Sequence, residues 1–275
     1  MCNVIVLLGF FWCFTSPLAA TVHQLPSCGL ASLSPLWFMD LNHPNKLELP
    51  TARAFKSGIN LHMANAAVMA ATTPTDFKKV RDFFGKVPHM VMIEKSDKQS
   101  KKILEQHGYI TKLWSSPLME FEFTKIPHHL SFPEEITVTQ VRNQDIANVW
   151  TRLSVAGYEK SMQSTPLGQF FSYLKSVDAH DNIFFYLAFF KGQPAATVIM
   201  THNGDQLGIH LLSTIPSMRN KKIAQALLWH GVSRAMQHGC VRAWGSSAPA
   251  AKAWYEKLGC TQKGTGVKET YLSPF

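Results

Sequence analysis

The stretch from Ile183 to Leu258 constrains the fold of this chain more than any other. Two apolar, β-branched and aromatic runs, Ile183 to Phe190 and Ala195 to Thr201, flank the turn Lys191-Gly192-Gln193-Pro194, which predicts a hairpin. After the turn Asn203-Gly204-Asp205, a third strand, Gln206 to Ile215, runs into Pro216 and a basic loop. A long helix, Ala224 to His238, follows and stops at Gly239. Cys240 to Gly245 reads as a further strand. Pro249 to Leu258 reads as a helix with proline in its first turn and Gly259 after its end, and Lys268 to Leu272 as a last strand. With helices expected at Asp145 to Ala156 and Pro166 to Ser176, the order is helix, helix, three strands, helix, strand, helix, strand. Such an order defines an α/β (α+β) domain, a mixed central sheet flanked by helices.

At 275 residues the chain is long enough for a second domain. Upstream, an apolar-periodic stretch spans about Gly58 to Ala71. The capping-type Thr73-Pro74-Thr75-Asp76 precedes a helix, Phe77 to Gly85. Met90 to Ile93 reads as a strand, Ser96 to His107 as a helix ended by Gly108, and Met119 to Phe123 as a strand with Phe121 and Phe123 on one face. Pro127 to Pro133 reads as a linker. The expected organisation is an apolar extension at 1–29, an N-terminal domain at 30–126 and a second domain at 134–275.

Lys and Arg outnumber Asp and Glu by 27 to 18, a net +9 that favours anionic partners without choosing among them. No aromatic-and-basic RNA motif and no zinc-finger spacing occurs, so no nucleic-acid partner is expected. The five cysteines, Cys2, Cys13, Cys28, Cys240 and Cys260, form no CxxC pair, and neither a metal site nor a dense disulfide framework is indicated. Cys240 and Cys260 read as small buried thiols near strand starts.

The first 39 residues carry no charged side chain, and the apolar run Val4 to Phe14 precedes Ser16-Pro17-Leu18-Ala19-Ala20, which has the small residues of a signal-peptidase site. No Lys or Arg precedes the run. At 11 residues it is short of the roughly 20 a membrane span needs, so no stable anchor is expected. Two readings stand beside each other: a cleaved export signal ending near Ala20, and an upstream extension or misplaced start on a cytoplasmic protein.

The chemistry points to the stretch Leu207 to Ala224. A strand leads through a basic loop to a helix N-terminus, where unpaired backbone N–H groups and the positive end of the helix dipole meet, an arrangement that binds anions. Arg219, Lys221 and Lys222 add side-chain charge. The strand, Pro216, the loop Arg219-Asn220-Lys221-Lys222-Ile223-Ala224 and the helix resemble the acetyl-CoA-binding motif of the GNAT superfamily of N-acetyltransferases, whose usual form is Arg/Gln-x-x-Gly-x-Gly/Ala. Lys222 stands at the usual glycine. The resemblance implies that Leu212, Ser213 and Thr214 offer backbone groups to the pantetheine arm. It also implies that Arg219, Asn220, Lys221, Lys222, Ile223 and Ala224 hold the pyrophosphate.

A second match follows, where Ala251-Lys-Ala-Trp-Tyr255-Glu-Lys-Leu-Gly259-Cys260 resembles the family's Ala-x-x-x-Tyr-Glu-Lys-x-Gly-Phe segment. By that resemblance Tyr255 is the general acid that protonates the leaving CoA thiolate; beside Trp254 it also reads as a core aromatic. Ala248 stands where many relatives carry Asn or Ser, and Cys260 replaces the usual Phe. No general base is legible: His210 reads as a packed or surface strand residue, and Glu159 falls in the variable helical region. Asn65 to Val68, Leu104 to Tyr109 and Met119 to Phe123 resemble the degenerate first half of tandem acetyltransferases, which implies a smaller GNAT-like N-terminal domain that does not bind CoA. The function implied is a metal-free, acetyl-CoA-dependent N-acetyltransferase acting on a small-molecule or protein amine. The alternative is a non-catalytic acyl-CoA-binding or interaction module on the same fold.

Overall fold

The computed structural model describes residues 45–94, 96–112, 117–125, 131–157, 168, 169, 172, 183–203, 205–247, 251–262 and 268–274. The apolar segment at 1–29, His128, His129, Glu159 and Ala248 lie outside them, as does most of the helix expected at Pro166 to Ser176.

The first part of the chain holds β1 (Lys46–Leu49), β2 (Ala52–Lys56), β3 (Asn65–Met69), α1 (Pro74–Phe84), β4 (Met90–Glu94), α2 (Lys98–Gln106), β5 (Ile110–Lys112) and β6 (Leu118–Glu122). The second holds β7 (Ile136–Gln140), α3 (Gln144–Ala156), β8 (Ile183–Phe190), β9 (Gln193–Asn203), β10 (Gln206–Thr214), α4 (Ile223–Gln237), β11 (Arg242–Ser246), α5 (Lys252–Lys257), β12 (Thr261–Gln262) and β13 (Lys268–Leu272). The strands form a six-stranded sheet, order β1-β2-β3-β4-β13-β5, and a seven-stranded sheet, order β12-β6-β11-β10-β9-β8-β7.

These sheets belong to two compact units, one of which is interrupted in sequence by the other. One unit spans Pro117–Gly264, and the other combines the described residues from 45 to Ser116 with Thr265–Phe275. The boundary expected at 127–133 is therefore redrawn. β6, placed by its sequence position with the first domain, pairs antiparallel with β11 and β12 in the seven-stranded sheet. β13, expected to close the second domain, pairs antiparallel with β4 and β5 in the six-stranded one. The cause lies in the strands: each is five residues long, and a short alternating run carries no local mark of the sheet it joins.

In the six-stranded unit, Thr73 caps α1 as expected, its hydroxyl accepting from the Asp76 amide at 3.1 Å. Phe77, Val80 and Phe84, at i, i+3 and i+7, bury one face of α1 against Ala67 and Met69 of β3, Val91 and Ile93 of β4, and Tyr271 of β13. The apolar-periodic stretch Gly58 to Ala71 resolves into a 3-10 turn, His62–Ala64, and the wholly buried strand β3. Buried on both faces, such a run has no alternation to distinguish it from helix. Asn65 is fully buried and saturated. Its carbonyl oxygen accepts from the Ser57 and Gly58 amides at 2.8 and 3.2 Å, and its amide nitrogen donates to the carbonyls of Ile59, Leu61 and Pro88.

In the seven-stranded unit, Trp150 of α3 meets Phe185 edge-on, with centroids 5.1 Å apart, while His230 of α4 meets the adjacent Tyr186 at 5.4 Å. Successive strand residues face opposite ways, so α3 and α4 cover opposite faces of this sheet. On the α4 side Leu207, Ile209 and Leu212 of β10 pack in one core with Ile223, Leu227 and Val232.

Candidate active site

β10 and β11 run parallel, but their pairing covers only Gln206↔Arg242, Leu207↔Ala243 and Gly208↔Trp244. Beyond that point β11 continues to Ser246, paired with β6 on its other edge, and β10 continues to Thr214, paired with β9 on its other edge. The two strands part, and the edge of β10 that faces β11 loses its strand partner. A β-bulge accompanies the parting. Between His210 and Ser213 β10 carries one residue more than β9, and Leu211 sits at φ 51°, a left-handed conformation costing a non-glycine residue on the order of 1–3 kcal/mol. Open parallel sheets take ligands at the carboxyl ends of strands that diverge in this way.

The sequence-assigned residues gather at that end. Leu212 and Ser213 are buried on β10, Thr214 closes the strand, and the loop Pro216 to Lys222 leads into α4. The loop turns on two left-handed residues, Asn220 at φ 64° and Lys222 at φ 61°, separated by Lys221. Left-handed residues in such a turn create a concavity of backbone N–H groups that suits anions. Lys222 thus adopts a backbone conformation that favours glycine, and its side chain is exposed.

The Arg219 guanidinium takes two backbone carbonyls as partners. Its Nε donates to the Thr214 carbonyl and its Nη2 to the Gly157 carbonyl, each at 3.2 Å, so the guanidinium braces the loop against β10 and the C-terminal end of α3. Gly157, which sequence reasoning passed over, is required there by space: a Cβ would stand 1.6 Å from Ser213 Oγ. Ile223 and Ala224 open α4, and Ile223 is buried in the core.

Tyr255 lies on α5, beyond the carboxyl end of β11. It is 5% exposed, in edge contact with Trp254 at 4.8 Å and within the main core, and burial raises its phenol above the ordinary value of 10. The phenol stays protonated at neutral pH, as a proton donor must. Cys260, packed below it, is pushed up to about 12 by burial, and burial also raises Cys240. Neither cysteine is in a disulfide and both thiols are protonated, which suits packing and not nucleophilic catalysis. His210, as expected, is a packed residue, its Nε2 at 2.7 Å from Thr201 Oγ1.

Two further groups went unread in the sequence as side chains. Thr214 Oγ1 and Ser247 Oγ are buried and have no hydrogen-bond partner among the described residues. They stand at the carboxyl ends of the two strands that part. A serine at a strand end reads as a turn residue, so nothing local marks Ser247. No group of three or more His, Cys, Asp or Glu side chains placed to hold a metal occurs among the described residues.

Comparison with solved structures shows this fold elsewhere. A GCN5-related N-acetyltransferase from Kribbella flavida superposes with a TM-score of 0.60 at 15% identity, covering 84% of this chain and 89% of its own. One from Sphaerobacter thermophilus gives 0.54 at 17%, covering 81% and 75%. A tandem GNAT protein from the clavulanic acid biosynthesis pathway gives 0.54 at 9%, covering 81% and 78%. At these identities the likeness is one of fold, and it extends over more than four-fifths of the chain. No curated protein matches the sequence. The sequence itself matches the Acetyltransferase (GNAT) family over residues 144–260. The matched residues, a GNAT acetyltransferase domain by that family's model, include the parted strands, the loop and Tyr255.

Proposed function

We infer that the protein is an acetyl-CoA-dependent N-acetyltransferase that moves an acetyl group to a primary amine by direct attack. The observation that carries this reading is the pair of orphaned hydroxyls, Thr214 Oγ1 and Ser247 Oγ, at the ends of β10 and β11. A buried hydroxyl without a partner costs about 1–3 kcal/mol, a cost that a polar ligand between the strands would relieve. Acyl-pantetheine, a narrow chain with amide and thioester groups, has the shape and polarity for that space. The loop amides from Arg219 to Ala224, at the positive end of α4, suit its pyrophosphate.

In this reading the unpaired edge of β10 holds the thioester, and a strand amide stabilises the oxyanion formed as the amine attacks the carbonyl carbon. The C–S bond breaks, the amine proton is lost to solvent or base, and the Tyr255 phenol gives its proton to the departing sulfur, leaving free CoA thiol and an amide. A buried phenol is a weak acid in water's terms. The thiolate, expelled into the same low-dielectric surroundings, has its own proton affinity raised, which keeps the transfer feasible. Binding and chemistry are confined to the seven-stranded unit, and the six-stranded unit is assigned no CoA. No helix among the described residues is long and apolar enough to cross a membrane; in this reading the protein works in the cytoplasm, a compartment that supplies acetyl-CoA.

The test is to remove the hydroxyls and keep their volume. Ser247→Ala and Thr214→Val should leave the unliganded protein as stable as the parent or slightly more so, and weaken acetyl-CoA binding by roughly three- to tenfold each. Unchanged affinity in both variants would contradict the placement of acyl-pantetheine between the strands.

A further inference from the structure

Three side chains, His230, Arg234 and His238, recur at every fourth residue and form one stripe along the C-terminal half of α4. His230 meets Tyr186 of β8 edge-on at 5.4 Å, and His238 meets His202 of β9 with ring centroids 5.6 Å apart. His202 in turn lies against Phe184 of β8 at 4.7 Å. It shares the face of β9 that carries Val198 and Met200 into the α4 core, and His202, His230 and Arg234 are each half-buried.

These bases are gathered without an acid. α4 contains no Asp or Glu, and neither do β7, β8, β9 and β10, the strands that lie against it. β6 reaches α4 through Phe121 and Trp229, but its Glu120 and Glu122 alternate with the core residues and point to the opposite face of the sheet. Asp205, in the turn after β9, is engaged by Arg242 at 3.0 Å. The charged side chains that act on the cluster are cations: Arg234 on His202, His230 and Tyr186, and Arg142, after β7, on Tyr186. Burial, then His238 and Arg234, lowers His202 from 6.5 to about 4, and burial followed by Arg234 lowers His230.

We propose that this cluster is an acid-opened latch: a proton taken up by His202, beside His238 and Arg234 and with no carboxylate to meet it, releases the C-terminal half of α4 from β8 and β9. Closed, the latch keeps the imidazoles neutral and packed on aromatic rings. Open, they reach water and take up protons at their ordinary value. The closed state refuses the His202 proton between about pH 6.5 and 4 and the open state accepts it, so opening becomes more favourable as the pH falls through that window. Ile223 and Leu227, at the other end of α4, are held in the core, so the segment released begins beyond them.

Hydrogen exchange of the full chain, read by mass spectrometry at about pH 7.5 and 5.5 and corrected for the intrinsic pH dependence of exchange, tests this. Residues 230–238 should open about tenfold more often at the lower pH, as one proton bound only in the open state implies, while β9 and β10 keep their protection. His202→Phe, which keeps a ring against Phe184, and His202→Leu should each remove most of that change. Equal opening of the parent at both pH values, or opening of 230–238 only together with β9 and β10, would overturn the proposal. So would a tenfold change that persists in either variant.

Discussion

Arg219 Nη2 donates to the carbonyl of Gly157 at 3.2 Å, tying the loop before α4 to the last turn of α3. With Nε on the Thr214 carbonyl, one guanidinium fixes three segments that meet at the parted strands. Lysine has a single ammonium and cannot span both carbonyls. Arg219→Lys and Arg219→Ala should therefore both loosen the loop, weakening acetyl-CoA binding by roughly tenfold, as the loss of charge-assisted hydrogen bonds implies. Calorimetry reads the affinity. A lysine variant that binds like the parent would show that charge, and not the two-point brace, is what the position supplies.

Lys222 holds a left-handed backbone at φ 61°. Glycine adopts that conformation without strain, so Lys222→Gly should stabilise the protein by about 1 kcal/mol after allowing for the freer unfolded chain. Lys222→Val, β-branched at the same φ, should destabilise it by more than that. Chemical denaturation distinguishes the two, and a valine variant as stable as the parent would mean that the loop is not held in this conformation.

The exchanged strands predict that neither half of the sequence is a folding unit. A fragment of residues 134–275 lacks β6, which sits between β11 and β12, and carries β13 without its sheet. It should be insoluble or molten. Deleting 265–275 removes the fully buried Tyr271 and the buried Glu269, whose carboxylate receives the Tyr271 hydroxyl at 3.0 Å and Lys101 at 3.3 Å. Loss of a buried aromatic alone costs about 3–5 kcal/mol, so that truncation should lose cooperative unfolding of the six-stranded unit. A soluble, cooperatively folding 134–275 fragment would contradict the strand assignment.

How far the sequence could be read follows from which interactions were local. The hairpin about Lys191-Gly192, the Thr73 cap, the loop before α4 and the helix ending before Gly259 are encoded by residues within a few positions of one another, and all were legible. β1, β2 and the short β5 were not read, and neither was β12, two residues long: their runs are too short or too mixed to show a period. The destinations of β6 and β13 were hidden because pairing partners lie over a hundred residues away. In the site, backbone roles were legible through motif spacing, whereas the bulge at Leu211, the close approach of Gly157 to Ser213, and the isolation of Ser247 arise from tertiary contacts that no local pattern announces.

His89 is wholly buried, stacked on Phe84 at 4.0 Å, with Nδ1 donating to the Val87 carbonyl at 2.8 Å and Nε2 accepting from the Tyr109 hydroxyl at 2.7 Å. Burial lowers its pKa from 6.5 to about 4. The unfolded chain therefore binds a proton that the folded one refuses between those values, so stability is full above pH 6.5 and falls as the pH drops toward 4, by up to about 3 kcal/mol. Denaturation midpoints measured from pH 4.5 to 7.5 should show this slope, and His89→Asn, less stable at neutral pH, should flatten it. A slope unchanged by the substitution would assign the acid sensitivity elsewhere, with His202, also lowered to about 4, the next group to replace.

Tyr255, buried beyond the parting strands, is the proposed donor of a proton to the CoA thiolate. The most direct test is acetyl-CoA titration of the parent and Tyr255→Phe, followed by free-thiol release over a panel of amines. Both proteins should bind with about micromolar affinity, the parent's turnover should not decline through phenol ionisation below about pH 9, and the variant should lose about a hundredfold or more. Binding by neither protein, or undiminished thiol release by Tyr255→Phe, would contradict it.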